Sequence, residues 1–389
     1  MFESAPVNEQ FNLPLPIFAS KLFGGTMKNL LVEIRSGRFR SALLSLAAST
    51  ALAIGAVTSL PAISFADEGG VSFWLPGIYG SLAAVPQAAP GWSLFTFNYY
   101  TNVSAGADVS AAREVEIGRL PLTTATANVS ANLKAQADLQ WINPSYAFAT
   151  PVLGGQLTLG MATIVGWQSA NLSGTVNVTA PPLPTFTRSD SINSSVAGFG
   201  DLYPQATLRW NNGVNNFMIY GTGDIPVGAY QSTRLANLGI GHGAADGGAG
   251  YTYLNPAKGQ EFSAVAGLTY NLENPFTNYQ NGVDFHLDWA ASQFLSKQFF
   301  VGPVGYVYDQ LSCDSGSGDR VGCFESRVIG IGPQIGYLFP VGKMQGYLNF
   351  KVYGEFDAAA RPSGWNAWVS FVLNPAAGVP TTPTPMVSK

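Results

Sequence analysis

The chain has 389 residues and a formal net charge of −4, with 11% charged, 47% hydrophobic and 12% aromatic residues. Soluble domains carry about 25% charged residues, so this composition is unusual for a soluble protein, and the lack of a basic stripe argues against nucleic-acid binding. From residue 67 onward no apolar run reaches the roughly 18 residues that a spanning helix needs. Since lipid admits only helices and closed barrels, the composition favours a transmembrane β-barrel.

The first part of the chain predicts an export signal. Residues 1–26 show no usable pattern and are interpreted as an upstream extension from a start codon assigned too early. Residues 27–66 combine a basic start, including Lys28 and Arg40, with an apolar stretch and a small-x-small end at Ala66, which is typical of a cleaved signal peptide. Because the apolar stretch is longer than usual, an uncleaved helical anchor is the alternative.

Residues 67–91 are rich in Gly, Pro and apolar side chains and precede the first predicted strand. Such a stretch begins on the periplasmic side of an outer-membrane barrel. We expect either a short plug that folds into the barrel mouth or a periplasmic lead. The candidate plug residues are Phe73, Trp74 and Tyr79.

Residues 92–374 repeat one pattern, in which segments of about ten or more residues alternate apolar and polar side chains. Residues 345–357 are the clearest case, with Tyr347, Lys351 and Glu355 on the polar face. The opposite face is bulky and uncharged, which suits contact with lipid, where a Lys or Arg at the bilayer midplane costs roughly 2–4 kcal/mol. The polar face is then predicted to line the lumen.

This pattern predicts an all-β, antiparallel barrel of about twelve strands, and a further hairpin within residues 113–150 is the alternative to this count. The predicted strands are 92–104, 131–150, 156–178, 200–211, 216–230, 248–255, 261–272, 282–296, 298–311, 324–339, 345–358 and 364–374. Short connections alternate with longer ones, as periplasmic turns and external loops do, and only residues 359–363 are brief where a longer loop is expected. The Pro- and Thr-rich residues 375–389 are predicted to form a flexible tail.

Twelve side chains are predicted to line the lumen: Lys134, Asp138, Arg209, Asp224, Glu261, Asp284, His286, Asp288, Tyr347, Lys351, Tyr353 and Glu355. Since both signs of charge occur, pairing across the lumen would brace a narrow barrel, and a charge-selective constriction is the alternative. Trp74, Tyr79, Tyr347 and Tyr353 are the candidates for an apolar path.

The two histidines offer little for a metal site. Asp284, His286 and Asp288 lie in steps of about 6–7 Å along one strand, so they do not converge on one ion, and a hydrogen-bonded row is the favoured interpretation. His242 lies in the glycine-rich residues 239–243, which we interpret as a flexible loop or a gate.

Cys313 and Cys323 are the two cysteines and lie in one predicted external loop. An exported protein meets an oxidising compartment, and ten residues of Ser- and Gly-rich chain are easily bridged. A disulfide is predicted, with two free thiols as the alternative.

Several motifs follow one another in an order that resembles the family labelled MetA-pathway of phenol degradation, bacterial proteins regarded as outer-membrane transporters. The matching segments are 73–77 (FWLPG), 198–201 (GFGD), 223–230 (GDIPVGAY), 252–256 (TYLNP), 278–282 (NYQNG), 284–286 (DFH), 330–337 (GIGPQIGY) and 361–365 (RPSGW). This resemblance implies a Gram-negative outer-membrane barrel associated with uptake of aromatic or other hydrophobic compounds. The chain is also distantly similar to the channels for long-chain fatty acids and aromatic hydrocarbons, but it lacks their hatch motif, which argues against lateral exit.

The sequence therefore predicts a porin-like, monomeric transporter in the outer membrane, in contact with lipid and with a small hydrophobic solute. No nucleotide motif points to a cofactor. An enzyme is disfavoured because no Gly-x-Ser-x-Gly element occurs and His286 is predicted to face the lumen rather than the rim. A structural or adhesive barrel is the alternative function, although loops of moderate length weaken the case for adhesion.

Overall fold

The structure is a computed structural model, and it describes residues 72–109, 115–116, 124–179, 185–319, 323 and 325–377. The predicted upstream extension, the predicted signal peptide and residues 378–389 of the predicted tail lie outside the described residues. No helix with the length and hydropathy of a membrane span occurs in the part that is described.

The chain divides into two compact units. One consists of Ile63–Ala111, Asn128–Asn177 and Phe186–Lys389 and contains the barrel. In the other, the two-residue strand β2 pairs antiparallel with the first residues of β3, through Val115↔Ala125 and Glu116↔Thr124.

The strands, in chain order, are β1 (Gly91–Val109), β2 (Val115–Glu116), β3 (Thr124–Ala147), β4 (Gln156–Thr179), β5 (Phe186–Asn212), β6 (Asn215–Asp224), β7 (Ala244–Asn255), β8 (Gln260–Asn271), β9 (Asp284–Phe294), β10 (Phe299–Gln310), β11 (Arg327–Val341), β12 (Met344–Ala359) and β13 (Ser363–Pro375).

Twelve of these strands form one closed antiparallel barrel. Each strand from β3 to β13 is a neighbour of the next, and β1 pairs with β13 on one side and with β3 on the other. Leu94 of β1 shows the closure, since it lies opposite Leu373 and also opposite Pro144. The predicted fold class and strand number are confirmed.

Mostly short turns at one end of the barrel alternate with mostly longer connections at the other, and the three residues between β12 and β13 are the exception. Two of the turns contain a glycine with positive φ, Gly213 at +65° and Gly342 at +61°, which is a backbone conformation that glycine adopts without steric cost. In the hairpin between β11 and β12, Val341 pairs directly with Met344, so only two residues lie in the turn. The longer connections include residues 225–243 and the described residues between β10 and β11, at the opposite end of the barrel.

Some strand boundaries differ from those predicted. β5 begins at Phe186 rather than near residue 200, because polar side chains pair between β4 and β5 where the sequence shows no apolar pattern; Thr175 Oγ1 and Ser189 Oγ lie 2.9 Å apart. β6 ends at Asp224 instead of residue 230, since Pro226 lacks the N–H that a continuing ladder needs. β7 begins four residues earlier than predicted, at Ala244.

From β8 to β13 the two faces follow the predicted alternation. The inward side chains are buried and largely polar. The outward side chains are large, apolar and exposed, and they include Phe262, Leu268, Tyr270, Ile331, Ile335, Leu348, Phe350 and Val369.

Candidate functional site in the barrel interior

Residues 72–90, which we call the inner segment, contact inward-facing side chains of the barrel. The segment makes two tight turns, in which the backbone N–H of Ile78 donates to Leu75 O at 3.2 Å and that of Val85 donates to Leu82 O at 3.1 Å. Trp74 and Ala84 are buried. The segment therefore has a defined path along the inner face of the barrel.

Two buried charges bind the first turn of the inner segment. The Asp288 carboxylate accepts hydrogen bonds from the backbone N–H of Gly77 at 2.8 Å and of Tyr79 at 3.1 Å. Lys351, which is 2% exposed, donates from Nζ to the carbonyl oxygens of Gly77 at 2.6 Å, Tyr79 at 3.3 Å and Ile78 at 3.5 Å. Both donors and acceptors of this turn are thus satisfied by the barrel.

Gly77 fits this place because it carries no side chain. Its φ is +92°, and a Cβ built there would lie 3.1 Å from the rings of both Tyr306 and Tyr353. Tyr353 is fully buried, and its ring centroid lies 4.9 Å from that of Tyr306. The backbone of the turn can approach this tyrosine pair only at a glycine.

The second turn is bound in the same way. Glu261 accepts from Ser81 Oγ at 2.8 Å and from the backbone N–H of Leu82 at 3.0 Å. Arg209 Nε donates to the carbonyl oxygen of Ala83 at 3.2 Å. Four predicted lumen residues, Asp288, Lys351, Glu261 and Arg209, therefore bind the backbone or a side chain of the inner segment.

His286 connects the inner segment to β7. Its ring stacks on Trp74 with centroids 3.6 Å apart and an interplanar angle of 13°. Its Nε2 lies 2.8 Å from Asp246 Oδ2, and Thr269 Oγ1 donates to the same oxygen at 2.6 Å. Sequence reasoning missed Asp246 because it assigned that residue to a loop. In the structure Asp246 and Thr252 lie on the same buried face of β7.

The inward charges do not brace the barrel by pairing across it. In the described ranges, the recorded contacts between a basic side chain and a carboxylate are the buried His286–Asp246 hydrogen bond and the exposed Arg327–Asp357 pair at 3.3 Å. The row predicted on β9 is hydrogen-bonded, with a different partner for each member; the first, Asp284, accepts from Asn271 Nδ2 at 2.8 Å.

Two further predicted lumen residues contact other strand residues of the barrel rather than the inner segment. Glu355 accepts from Tyr306 Oη at 2.6 Å and from Asn366 Nδ2 at 3.2 Å. The ring of Tyr347 lies parallel to Phe300 with centroids 6.1 Å apart.

A second part of the inner face is aromatic, and we call Phe97, Trp141, Tyr203 and Trp368 the aromatic wall. The ring centroids of Phe97 and Trp141 are 5.6 Å apart, those of Trp141 and Tyr203 are 4.9 Å apart, and those of Phe97 and Trp368 are 4.8 Å apart. Phe73 of the inner segment packs on Tyr203 at 5.9 Å. The inward-facing ionisable residues on the other part of the inner face are called the charged wall; they are Asp246, Glu261, His286, Asp288 and Lys351.

Lys134 and Asp138 do not line the lumen, which corrects the prediction. On β3 the residues Leu139 and Trp141 are buried, whereas Asp138 is exposed and lies opposite Tyr100, whose ring contacts the exposed Trp365 at 5.3 Å. Even-numbered residues of this strand therefore face outward, so its charged face is the outer one. Lys134 lies near the long-loop end and borders an open cavity of about 580 Å³ with Gln136, Asn171 and other polar residues.

Asp224, another predicted lumen residue, is buried, but its surroundings differ from those of the charged wall, whose residues form hydrogen bonds. It is 8% exposed, and neither carboxyl oxygen has a hydrogen-bond partner in the part of the chain that is described. The buried indole Nε1 of Trp141 likewise has no hydrogen-bond partner among the described residues. Buried polar groups are rarely left in this state.

One carboxylate links distant parts of the long connection at residues 225–243. Asp201 accepts from the backbone N–H of Gly228 at 2.7 Å and of Ile240 at 2.8 Å, and thereby joins three of the glycine-rich motifs. His242 is buried in this connection, and the loss of solvation lowers its pKa. The connection is packed against the barrel.

In the connection between β10 and β11, Cys313 and Cys323 form the predicted disulfide. With Glu325 they make the one group of candidate metal ligands found among the described residues, but the disulfide occupies both sulfur atoms. Burial raises the pKa of Asp314, which accepts from Gln310 Nε2 at 2.7 Å and from the backbone N–H of Gly282 at 3.0 Å.

Comparisons with known proteins agree with this architecture. The family described as putative MetA-pathway of phenol degradation matches residues 119–371. A solved outer-membrane channel from Pseudomonas putida F1 is 14% identical, with a TM-score of 0.51 over 77% of this chain and 98% of that chain. The transport unit of the autotransporter AIDA-I from Escherichia coli is 11% identical, with a TM-score of 0.33 over 79% and 95% of the two chains, a score too low to support a conclusion. A comparison with curated proteins gives no match.

Proposed function

Because the chain belongs to the family described as putative MetA-pathway of phenol degradation, we propose that it is an outer-membrane channel for passive passage of small hydrophobic or aromatic compounds. The observation that carries this proposal is the aromatic wall, which faces inward and lies beside the inner segment. A ring-lined path of this kind favours apolar solutes over hydrated ions, because it offers dispersion and stacking but few hydrogen bonds.

The outer surface supports placement in a membrane. Leu268, Phe350 and Val369 are each more than 40% exposed, and they belong to a continuous row of strands with large apolar outward side chains. Soluble monomers rarely expose contiguous apolar patches larger than a few hundred Å². Contact with lipid removes this surface from water.

In this proposal the inner segment is a plug that controls passage. The charged wall binds its backbone at Gly77, Tyr79 and Leu82, and each hydrogen bond to a charged group contributes roughly 1.5–3 kcal/mol. Because these contacts lie on one side, displacement of the segment from the aromatic wall need not break them. A solute can then pass between the segment and the aromatic wall.

The same contacts argue against an enzyme. Asp288 and Lys351 are occupied by backbone groups of the inner segment. The proposal therefore involves a single chain, lipid and a solute, without a chemical step or a cofactor.

Uptake measurements test the proposed function. Cells with the gene are expected to take up labelled alkylphenols faster than cells in which the gene is deleted, and the rate should rise linearly with concentration because passage is passive. A labelled sugar of similar size is the control and should enter both strains equally. Equal uptake of alkylphenols by the two strains would contradict the proposal and favour a structural or adhesive barrel.

A further inference from the structure

Asp224 and Tyr203 are cross-strand neighbours on the inner face. The β5–β6 ladder pairs Gln205 with Thr222, and the bridge Leu202↔Ile225 continues the same register. Tyr203 and Asp224 therefore lie opposite each other, and both are buried. Directly opposed residues of an antiparallel pair have Cβ atoms about 4.5–5.5 Å apart, so the carboxyl group lies beside the tyrosine ring.

Two polar groups flank this ring without hydrogen-bond partners in the described part of the chain. They are the carboxyl group of Asp224, which is an acceptor, and the indole N–H of Trp141, whose ring centroid is 4.9 Å from that of Tyr203. A site that combines aromatic faces with a few convergent polar groups is typical of small-molecule binding.

The inner segment places a phenyl ring against Tyr203. Phe73 packs on Tyr203 at 5.9 Å with an interplanar angle of 42°. A phenyl ring matches the aromatic surroundings but has no group that could bond to Asp224 or to Trp141. A phenol in the same place would supply that missing hydroxyl.

We propose that the surface around Tyr203, flanked by Asp224 and Trp141 and covered by the Phe73 ring, is a binding site for hydroxylated aromatic compounds. The ring of the solute packs on Tyr203 and Trp141, and its hydroxyl donates a hydrogen bond to the Asp224 carboxyl group. Phe73 leaves the site when the solute enters. This inference rests on the proposed function and specifies the solute class.

Calorimetry on the purified full chain in detergent tests the site with phenol and with anisole, its methyl ether, which cannot donate a hydrogen bond. Phe73→Ala vacates the site and is expected to strengthen phenol binding by about tenfold or more, with a weaker gain for anisole. Adding Asp224→Leu to Phe73→Ala should weaken phenol binding by about tenfold and leave anisole unchanged. Asp309→Leu, on the outer face of β10, is the matched control and should change neither affinity.

A second variant keeps the test valid if Phe73→Ala perturbs the fold. Phe73→Tyr supplies the hydroxyl from within the chain, so the melting temperature should rise and phenol binding should weaken. Equal affinities of phenol and anisole for Phe73→Ala, or a lower melting temperature for Phe73→Tyr, would overturn the site.

The two proposals fail separately. If cells take up alkylphenols but Asp224→Leu leaves the preference for phenol over anisole unchanged, the channel stands and the site falls. If purified protein prefers phenol but cells show no uptake, the site stands and the channel falls.

Discussion

The charged wall and the aromatic wall contact the same inner segment with different interactions. The charged wall binds backbone groups, as when Asp288 and Lys351 take the N–H and carbonyl groups of Gly77. These contacts are directional, and a lost partner leaves a buried polar group unsatisfied. The aromatic wall meets the segment through ring contacts such as Phe73 on Tyr203, which another ring can replace. One wall therefore fixes position, and the other allows exchange.

The outer surface also differs between the two walls. Behind the charged wall, β8 and β12 present Leu268 and Phe350 outward. Behind the aromatic wall, the outer face of β1 and β3 carries the Asn98–Asp138 hydrogen bond of 2.6 Å and a Gln140–Thr96 hydrogen bond. Since a strand alternates its two faces, the polarity of the inner side and that of the outer side are set by different residues.

Lys351→Met gives the largest expected effect because it removes the donor for three buried carbonyl groups and a positive charge near Asp288. Retention of the inner segment should weaken by about 4 kcal/mol. Chymotrypsin cleavage within residues 72–90 should accelerate, and conductance in planar bilayers should rise. Lys343→Met, in an exposed turn, is the control. Unchanged protection of the segment would show that the charged wall does not hold it.

Phe97→Ala tests the aromatic wall. Phe97 is buried between Trp141 and Trp368, so its truncation should lower the free energy of unfolding by about 3 kcal/mol. Urea unfolding followed by circular dichroism measures this change. Protection of the inner segment should stay as in the wild type, because the hydrogen bonds of the charged wall remain. Faster cleavage of the segment would remove the distinction between the walls.

Gln140→Leu gives the smallest effect and tests the outer face. If this face contacts lipid, removal of the amide should stabilise the barrel by about 1 kcal/mol, whereas Ile142→Gln, on the same outward face, should destabilise it by a similar amount. Unfolding in lipid vesicles compares the two variants. Destabilisation by Gln140→Leu would mean that the polar outer surface of β1 and β3 is not exposed to hydrocarbon.

Most of the barrel could be predicted from the sequence because alternation is strong where one face is charged. On β12, Asn349, Lys351 and Tyr353 are buried on one face, as predicted, while Leu348 and Phe350 face outward. Such a pattern defines two faces and, with an apolar opposite face, also indicates which one meets lipid.

The prediction failed on β3 because polarity was taken to indicate the lumen. The inner segment requires apolar partners, so Leu139 and Trp141 face inward and Asp138 faces outward. Asp246 was missed for a different reason, since the glycines around it are typical of a loop. In both cases the placement of the side chain depends on contacts with the inner segment, which is distant in sequence. A local sequence pattern does not predict such contacts.

The stacking of Trp74 on His286 gives the molecule an internal optical probe. Trp74 lies 3.6 Å from the imidazole, whereas release of the inner segment would separate the two rings. A neighbouring imidazole quenches indole emission, so bound and released segments differ in brightness and lifetime. Release of the segment from the charged wall, as expected for Lys351→Met, can then be followed without any added dye by comparing this emission with that of a Trp74→Phe variant.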